Sequence, residues 1–224
     1  MSYLEILDLS MNNISGNLPS NFCPANIQEL YLSNGLQGSL KDAFYGCFEL
    51  IVLDLSHNNV TGSIPPWIGK FSQLSYLILG HNNIEAKIPI QLCNLTQLSL
   101  IDLSHNHLSG PILPCLRSTS NSYRQQDGSY NASAPVSMDE PLEFTTKSRI
   151  PTEIGNLNEI HVLNLSHNSL TGEIPASFSN LHQIESLDLS HNNLEGSIPS
   201  QLTELNFLAV FNVSYNNLSG RYRC

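Results

Sequence analysis

Residues 100–112 read LIDLSHNHLSGPI, and this stretch decides the fold because the chain repeats it. Its asparagine recurs at every twenty-fourth position in two series, first at Asn34, Asn58, Asn82 and Asn106, and then at Asn168, Asn192 and Asn216. Self-similarity at a fixed period in this range is the sequence signature of a solenoid, in which each repeat forms one coil of the backbone. The sequence therefore predicts a stack of similar coils.

The letters of one coil predict its local structure. Apolar residues alternate in the segment LxLxxN, which is typical of a short strand with one face inward, and stacked coils pair such strands in parallel about 4.8 Å apart. An amide side chain has donors and an acceptor, so an inward asparagine can hydrogen-bond to the backbone of its own coil and of its neighbour. Stacking also buries the leucines, each of which contributes about 1.5–3 kcal/mol when fully buried.

The full frame, LxxLxxLxLxxNxLxGxIPxx, resembles the plant-type extracellular leucine-rich repeat. The resemblance implies an α/β repeat solenoid, a right-handed horseshoe with a parallel β-sheet on its concave face. It covers residues 1–116, with about five coils, and residues 150–224, with about three coils of which the first is incomplete. Residues 117–149 lack the frame.

The frame also predicts the core. Before the interruption the predicted core residues are Leu53, Leu55, Val60, Ile64, Ile68, Phe71, Leu74, Leu77, Leu79, Ile84, Ile88, Leu92, Leu95, Leu98, Ile101, Leu103, Leu108 and Ile112. After it they are Ile150, Ile154, Leu157, Ile160, Leu163, Leu165, Leu170, Ile174, Phe178, Leu181, Ile184, Leu187, Leu189, Leu194, Ile198, Leu202, Leu205, Leu208, Phe211, Val213 and Leu218. Cys47 replaces a leucine, which predicts a buried thiol or half of a disulfide. The step from Asn12 to Asn34 is two positions shorter than the repeat, which predicts a distorted coil.

The interruption is polar, and the interval between Asn106 and Asn168 is not a multiple of the repeat length. Residues 117–149 are therefore an insertion. One interpretation is a disordered surface loop, and the other is an ordered island that folds over the concave face. Plant receptor-like proteins carry such an island before their last repeats, where it helps to form the ligand site. Ile150 and Pro151 fall in the middle of a coil that lacks its strand, so we expect a strained or partly unravelled junction.

The composition excludes some classes of function. Charged residues make up 12% of the chain and the net charge is −10, which argues against a nucleic-acid partner. No run of apolar residues is long enough to cross a bilayer, so we expect no membrane span. The chain starts within a strand of the repeat rather than with a signal peptide, and it shows no capping unit at either end. We interpret it as an internal part of a larger receptor or a truncated product.

Seven N-x-S/T sequons suggest a secreted glycoprotein. They begin at Asn13, Asn59, Asn94, Asn131, Asn164, Asn212 and Asn217. A repeat rich in Asn, Ser and Thr also generates sequons by chance, which is the alternative explanation. Asn164 and Asn212 lie on the predicted strands, so we expect them to be less readily modified.

Outward positions of the strands form columns of aspartate and histidine. One column reads Asp8, Asp54, Ile78, Asp102, Asn164, Asp188 and Asn212, and another reads Met11, His57, His81, His105, His167, His191 and Tyr215. Such columns suggest a metal site or acid–base catalysis. However, the arrangement repeats on every coil, whereas a catalytic site is distinctive. We therefore predict a hydrogen-bonded hydrophilic edge, with no enzyme activity, no metal and no cofactor.

Positions that vary between coils predict the binding surface, because a rigid sheet differentiates itself there. The variable outward positions include Ile51, Val52, Ser75, Ser99, His161, Val162, Glu185, Ser186, Ala209 and Val210. The predicted ligand-binding residues on the concave face are Asp54, Tyr76, Ile78, His81, Leu100, Asp102, His105 and Asp188. Tyr76 is the principal anchor candidate, since aromatic residues often dominate interface energy. The alternative is that these residues are unengaged surface.

Five cysteines fit an oxidising compartment. Cys93 and Cys115 lie at near-equivalent places on adjacent coils, and we predict a disulfide between them. Cys23 and Cys47 are related similarly, across the register defect. Cys224 is left over.

The resemblance implies a function in recognition. The chain is predicted to be part of the extracellular domain of a plant receptor-like protein at the plasma membrane, which binds a peptide or microbial elicitor and associates with a co-receptor kinase in defence or development. The alternatives are a secreted inhibitor of polygalacturonase-inhibitor or antifreeze type, and a truncated product that does not signal. The island distinguishes the receptor from the secreted inhibitor, because inhibitor-type proteins lack an island.

Overall fold

The structure is a computed structural model that describes residues 3–17, 22–24, 26–112, 157 and 159–220. Each coil contributes a short strand to a first, eight-stranded parallel sheet. In the order of the sheet these strands are β1 (Ile6–Asp8), β3 (Glu29–Tyr31), β5 (Val52–Asp54), β7 (Tyr76–Ile78), β9 (Leu100–Asp102), β11 (Val162–Asn164), β13 (Ser186–Asp188) and β15 (Val210–Asn212). The predicted leucine-rich-repeat solenoid with a parallel sheet is confirmed.

A second eight-stranded parallel sheet follows the asparagine of each coil, and the sequence did not predict it. Its strands are β2 (Ser15–Asn17), β4 (Gly35–Ser39), β6 (Asn59–Gly62), β8 (Asn83–Lys87), β10 (His107–Pro111), β12 (Ser169–Glu173), β14 (Asn193–Gly196) and β16 (Asn217–Leu218). The segment NxLxG alternates outward and inward residues, for example exposed Asn59 and buried Val60, as a half-buried strand requires.

The helical elements among the described residues are short 3-10 helices. They span Leu40–Asp42, Pro66–Lys70, Ile90–Asn94, Ala176–Asn180 and Ser200–Glu204. Each of the four longer ones follows a proline in an extended conformation, such as Pro65 with φ −74° and ψ 148°. None of the helices in this part of the chain has the length and apolarity that a bilayer crossing requires.

The inward residues of all described coils form one continuous core. The predicted core residues within the described ranges are buried up to Leu205, with the exception of Ile198. Ile198 is 42% exposed and Phe211 is 37% exposed, so the prediction is wrong for these two. Both lie in the last described coils, where no further described coil covers them. Ile150 and Ile154 lie outside the described residues.

The asparagine column holds the coils together as predicted. Asn82 is 6% exposed and its Nδ2 donates to the carbonyl of Leu79 in its own coil (3.1 Å) and to that of Leu55 in the preceding coil (2.8 Å). Its Oδ1 accepts from the backbone N–H of Val60 (2.9 Å). One amide therefore pairs three backbone groups that the bend leaves without partners.

The first sheet is continuous across the insertion. Val162 pairs with Leu100, and the N–H of Val162 donates to the carbonyl of Ser99 over 3.1 Å. The equivalent bond one coil earlier, from Leu100 to Ser75, has the same length. Strands β9 and β11 are therefore direct neighbours in the sheet. The expected strain at Ile150 and Pro151 and the island at 117–149 lie outside the described residues.

The short step before Asn34 changes its coil locally. In the other described coils the residue before the asparagine adopts a positive φ, as His57 does at 52°, whereas Ser33 does not. The amide of Asn34 still bonds the preceding coil, since its Nδ2 donates to Leu9 over 2.6 Å. The shortening thus removes the left-handed bend, and strands β3 and β5 keep their pairing.

Candidate ligand-binding surface

The aspartates of the first sheet have intramolecular hydrogen bonds. Asp54 Oδ1 accepts from the backbone N–H of Ser56 (2.9 Å) and from its hydroxyl (2.7 Å). Asp102 accepts from the N–H of Ser104 in the same way (2.9 Å). At Asp188 both oxygens are engaged, because Asn212 also donates to Oδ2 over 3.1 Å. These contacts form the hydrogen-bonded edge that the sequence predicts.

Strand β7 interrupts this polar column. Ile78 stands in register between Asp54 and Asp102, and Gly80 replaces the serine of the other coils. A Cβ on Gly80 would lie 3.1 Å from both Asp102 Oδ1 and Ser104 Oγ, so a side chain there would press on the neighbouring coil. Ile78 is therefore a half-buried apolar residue with a carboxylate on the strand to either side.

A row of apolar residues runs across the sheet beside Ile78. Val52, Tyr76, Leu100 and Val162 are in register on four successive strands. Leu100 and Val162 are half-buried, and Val52, expected as an outward position, is buried at 8% exposure. Tyr76 is 42% exposed, and it lies on the same face as Ile78, because alternate residues of a strand share a face. We call these five residues the apolar strip. The structure thus brings together the predicted residues Tyr76, Ile78 and Leu100.

Val162 was not among the predicted ligand-binding residues. The sequence marked it only as variable, because the insertion hides its register with Leu100. The other predicted residues lie around the strip. Asp54 and Asp102 flank Ile78, His81 and His105 follow Ile78 and Asp102 at the ends of β7 and β9, and Asp188 is two strands past β9.

The histidines form a continuous stack along the edge of the first sheet. Ring centroids of successive members are 4.0–4.3 Å apart and the rings are nearly parallel. The stack comprises His57, His81, His105, His167, His191 and Tyr215. Each member has a φ between 48° and 55°, so the left-handed bend aims every ring the same way. Parallel rings do not converge on one point, and the described residues contain no group of three potential ligands that could hold a metal ion.

The stack changes the acid–base properties of its centre. Burial lowers the pKa of His105, and the charges on His81 and His167 lower it further, whereas Asp102 opposes the shift. His105 is therefore neutral over a wider pH range than a free histidine. Past the insertion, His161 Nδ1 lies 3.2 Å from Glu185 Oε1, a contact that the variable positions did not reveal.

The structure separates the predicted glycosylation sites into two groups. Asn164 and Asn212 are partly buried on the first sheet, and the Oδ1 of each accepts from the serine that completes its Asp/Asn–Ser turn. Four others have exposed side chains away from the strands of that sheet: Asn13, Asn59, Asn94 and Asn217. Asn131 lies outside the described residues.

Cys23 and Cys47 form a disulfide between successive coils, with Cα atoms 5.4 Å apart. Cys47 is 2% exposed, which confirms that it is half of a buried bridge. Cys93 is also disulfide-bonded. Cys115 lies outside the described residues, so the pairing of Cys93 with Cys115 stays a prediction.

Comparisons with known proteins agree with this architecture. Two sequence profiles described as leucine-rich repeat match the chain, one at residues 25–84 and 150–194 and the other at 3–25 and 97–119. No curated protein sequence matches significantly.

Solved structures of plant receptors superpose on most of the chain. The Arabidopsis receptor kinase HAESA, in complex with the peptide hormone IDA and the co-receptor SERK1, is 33% identical with a TM-score of 0.74, over 95% of this chain and 30% of that one. The structure described as PEPR1–AtPEP1 is 30% identical in sequence with a TM-score of 0.75. The match covers 97% of this chain and 25% of that one. A plant ice-binding protein is 21% identical with a TM-score of 0.57, and the match covers 96% of this chain and 73% of that one. At this identity the likeness shows the fold alone.

The chain thus spans about a third or less of the two receptor structures it resembles. Those homologous ectodomains belong to receptors of the plasma membrane and are extracellular, and their fold is a ligand-binding kind of domain. The paired parallel sheets, the asparagine column, the profiles and the neighbours agree. The chain belongs to the leucine-rich-repeat family, and it is similar to a part of plant receptor ectodomains.

Proposed function

We propose that the chain is part of an extracellular receptor module that binds an extended peptide, or an extended segment of a protein, along the apolar strip. The observation that carries this proposal is the break in the polar column at β7, where Tyr76 and Ile78 lie outward between Asp54 and Asp102. Contiguous apolar side chains at the surface of a protein mark an interaction site.

The geometry favours a peptide in an extended conformation. Neighbouring strands are about 4.8 Å apart, so the strip is a narrow row that crosses at least four coils. A ligand with apolar side chains would cover Tyr76 and Leu100, and a basic group would find Asp54 or Asp102 beside it. The net charge of −10 also favours a neutral or basic ligand over an acidic one.

The remaining predicted binding residues belong to the same proposal. His81 and His105 lie on the stack that borders the strip, and Asp188 lies past the insertion. Residues 117–149 would complete the site as an island. HAESA and PEPR1 were each solved with a peptide, which supports a peptide as the ligand class here.

We further propose that the coils after the insertion contact a co-receptor kinase. HAESA was solved together with the co-receptor SERK1, and the present chain offers His161 and Glu185 as exposed groups on that part of the sheet. Association with a kinase would supply the signalling step, in defence or in development.

The proposal is tested by selecting binders from a displayed library of random dodecapeptides against the whole secreted chain. Enriched peptides should share two or more apolar residues, and Tyr76→Ala should weaken their binding roughly fivefold or more, since a buried aromatic anchor contributes more than about 1 kcal/mol. Leu100→Ser should act in the same direction. Addition of a SERK1 ectodomain should then tighten the complex.

Ser186→Ala is the matched control. It changes the same column of the sheet two strands past Leu100 and outside the apolar strip, so peptide affinity should stay unchanged. The proposal is wrong if no peptide enriches, or if the enriched peptides bind Tyr76→Ala and Leu100→Ser as tightly as the unaltered chain.

A further inference from the structure

An exposed aromatic cluster interrupts the repeat on the side of the coils that carries the 3-10 helices. Tyr45 is 49% exposed and Phe48 is 44% exposed, and their rings meet edge to face with centroids 6.2 Å apart. The equivalent positions in the other described coils carry small or polar residues or proline: Gly69, Cys93, Ser179 and Thr203 for Tyr45, and Pro24, Ser72, Thr96, His182 and Asn206 for Phe48. The cluster is therefore specific to this coil.

The next coil adds a cation to the cluster. Lys70 Nζ lies 5.2 Å from the centroid of the Tyr45 ring and 3.5 Å from its hydroxyl oxygen. The same helix is fixed to the preceding coil by Trp67, whose Nε1 donates to the carbonyl of Lys41 over 2.7 Å. Tyr45, Phe48 and Lys70 thus form a supported surface, which we call the aromatic platform.

A sequon stands directly beside the platform. Asn94 follows Lys70 by one repeat length, and each is the last residue of its 3-10 helix. The two helices pack closely, since a Cβ on Gly69 would lie 2.9 Å from Gln91 Cβ. Asn94 is exposed and begins the sequence Asn-Leu-Thr at 94–96. A chemical group attached to Asn94 therefore emerges next to Lys70.

We propose that Asn94 carries an N-linked glycan whose first two sugars, both N-acetylglucosamine, pack across Lys70 onto Tyr45 and Phe48. One coil step is about 5 Å, so Tyr45 lies two steps or roughly 10 Å from Asn94, which is the reach of a disaccharide. The C–H face of the sugar ring is apolar and covers the exposed aromatic rings. The ammonium group of Lys70 donates to the sugar hydroxyl or acetamide oxygens.

The modification requires the secretory pathway, and the disulfide of Cys23 with Cys47 indicates the same compartment. Attachment joins Nδ2 of Asn94 to the anomeric carbon of the first sugar. The amide gives up one proton, and the lipid diphosphate of the sugar donor leaves. The product retains the Asn94 carbonyl and one N–H.

Asn59 provides a natural comparison. It is an exposed sequon asparagine on β6 of the second sheet, and the equivalent residues on the adjoining coils are Gly35 and Asn83. A glycan there meets no aromatic platform. Its removal should therefore have the same effect whether or not Tyr45 and Phe48 are present.

The test uses the full chain, secreted from a glycosylating eukaryotic host behind an added leader, with site occupancy read by peptide mass spectrometry. We expect Asn94 to be occupied. Thr96→Ala abolishes this sequon and leaves Asn94 in place, and it should lower the thermal midpoint by about 2 °C or more. In a chain that already carries Tyr45→Ala and Phe48→Ser, Thr96→Ala should leave the midpoint unchanged.

A second readout does not depend on stability. Nitration of Tyr45 by tetranitromethane should proceed several-fold more slowly in the glycosylated chain than in the Thr96→Ala chain, whereas Asn59→Gln should leave the rate unchanged. An unoccupied Asn94 overturns the proposal. So does a Thr96→Ala shift that is equal with and without the platform, together with an equal nitration rate.

Discussion

Ala86 occupies a left-handed backbone position, with a φ of 69°, on strand β8. The seven other described coils have glycine at the same place, with φ between 77° and 123°: Gly16, Gly38, Gly62, Gly110, Gly172, Gly196 and Gly220. The left-handed region costs a residue with a Cβ about 1–2 kcal/mol, whereas glycine adopts it freely. We therefore predict that Ala86→Gly stabilises the protein.

The magnitude follows from two opposed effects. Glycine relieves about 1–2 kcal/mol of strain, and its greater freedom in the unfolded chain costs about 0.5–1 kcal/mol. The net gain in the free energy of unfolding is about 0.5–1 kcal/mol. The reverse change, Gly172→Ala, should lose a similar amount, because no atom lies within 4 Å of the added Cβ and strain is its main effect.

Urea denaturation followed by circular dichroism measures these changes as shifts of the midpoint at constant slope. Ala209→Gly is the matched control, since Ala209 is exposed but has no positive φ, and this variant should lose about 0.5–1 kcal/mol. The reasoning is refuted if Ala86→Gly destabilises the protein as Ala209→Gly does, or if Gly172→Ala has no effect.

Three further predictions concern stability. Asn106→Ala should cost about 3 kcal/mol or more in urea denaturation, because the carbonyl of Leu79 and the N–H of Ile84 lose a buried partner. Gly69→Ala should cost about 1–3 kcal/mol or more in the same assay, because the added Cβ would clash with the backbone carbonyl oxygen of Gln91, which cannot move aside as a side chain can. For His105, whose folded pKa is lowered, the unfolded state binds more protons. Stability should thus be full above the ordinary pKa of 6.5 and fall as the pH decreases toward the folded value, and His105→Asn should reduce that fall below the ordinary pKa.

The repeat made most of the first sheet predictable. Alternating leucines and a fixed asparagine spacing define which residues face inward, and Leu77, Leu79 and Asn82 are buried as the frame requires. The second sheet was missed because most of its strands contain glycine, as β4 and β6 do, and strand propensity disfavours glycine. These strands are stabilised by pairing with the neighbouring coils, and the local sequence of one segment does not reveal that pairing.

The candidate surface was only partly predictable for a related reason. Tyr76, Ile78 and Leu100 fall within one regular series, so their proximity follows from counting residues. The interval from Leu100 to Val162 is not a multiple of the repeat length, so counting does not place these two side by side. The contacts of Tyr45 with Lys70 depend on rotamers of long side chains between coils, which a one-dimensional pattern does not contain.

The pairing of β9 with β11 has a consequence for how such proteins diversify. Val162 pairs with Leu100 as one coil pairs with the next, although many residues separate them in the sequence. The pairing of these two strands therefore does not depend on the length of the chain between them. Sequence can be gained or lost between these two strands at the expense of one loop closure, whose free-energy cost rises only slowly with length. A new binding element can therefore be inserted between β9 and β11, by evolution or by design, without changes to the residues of the repeats.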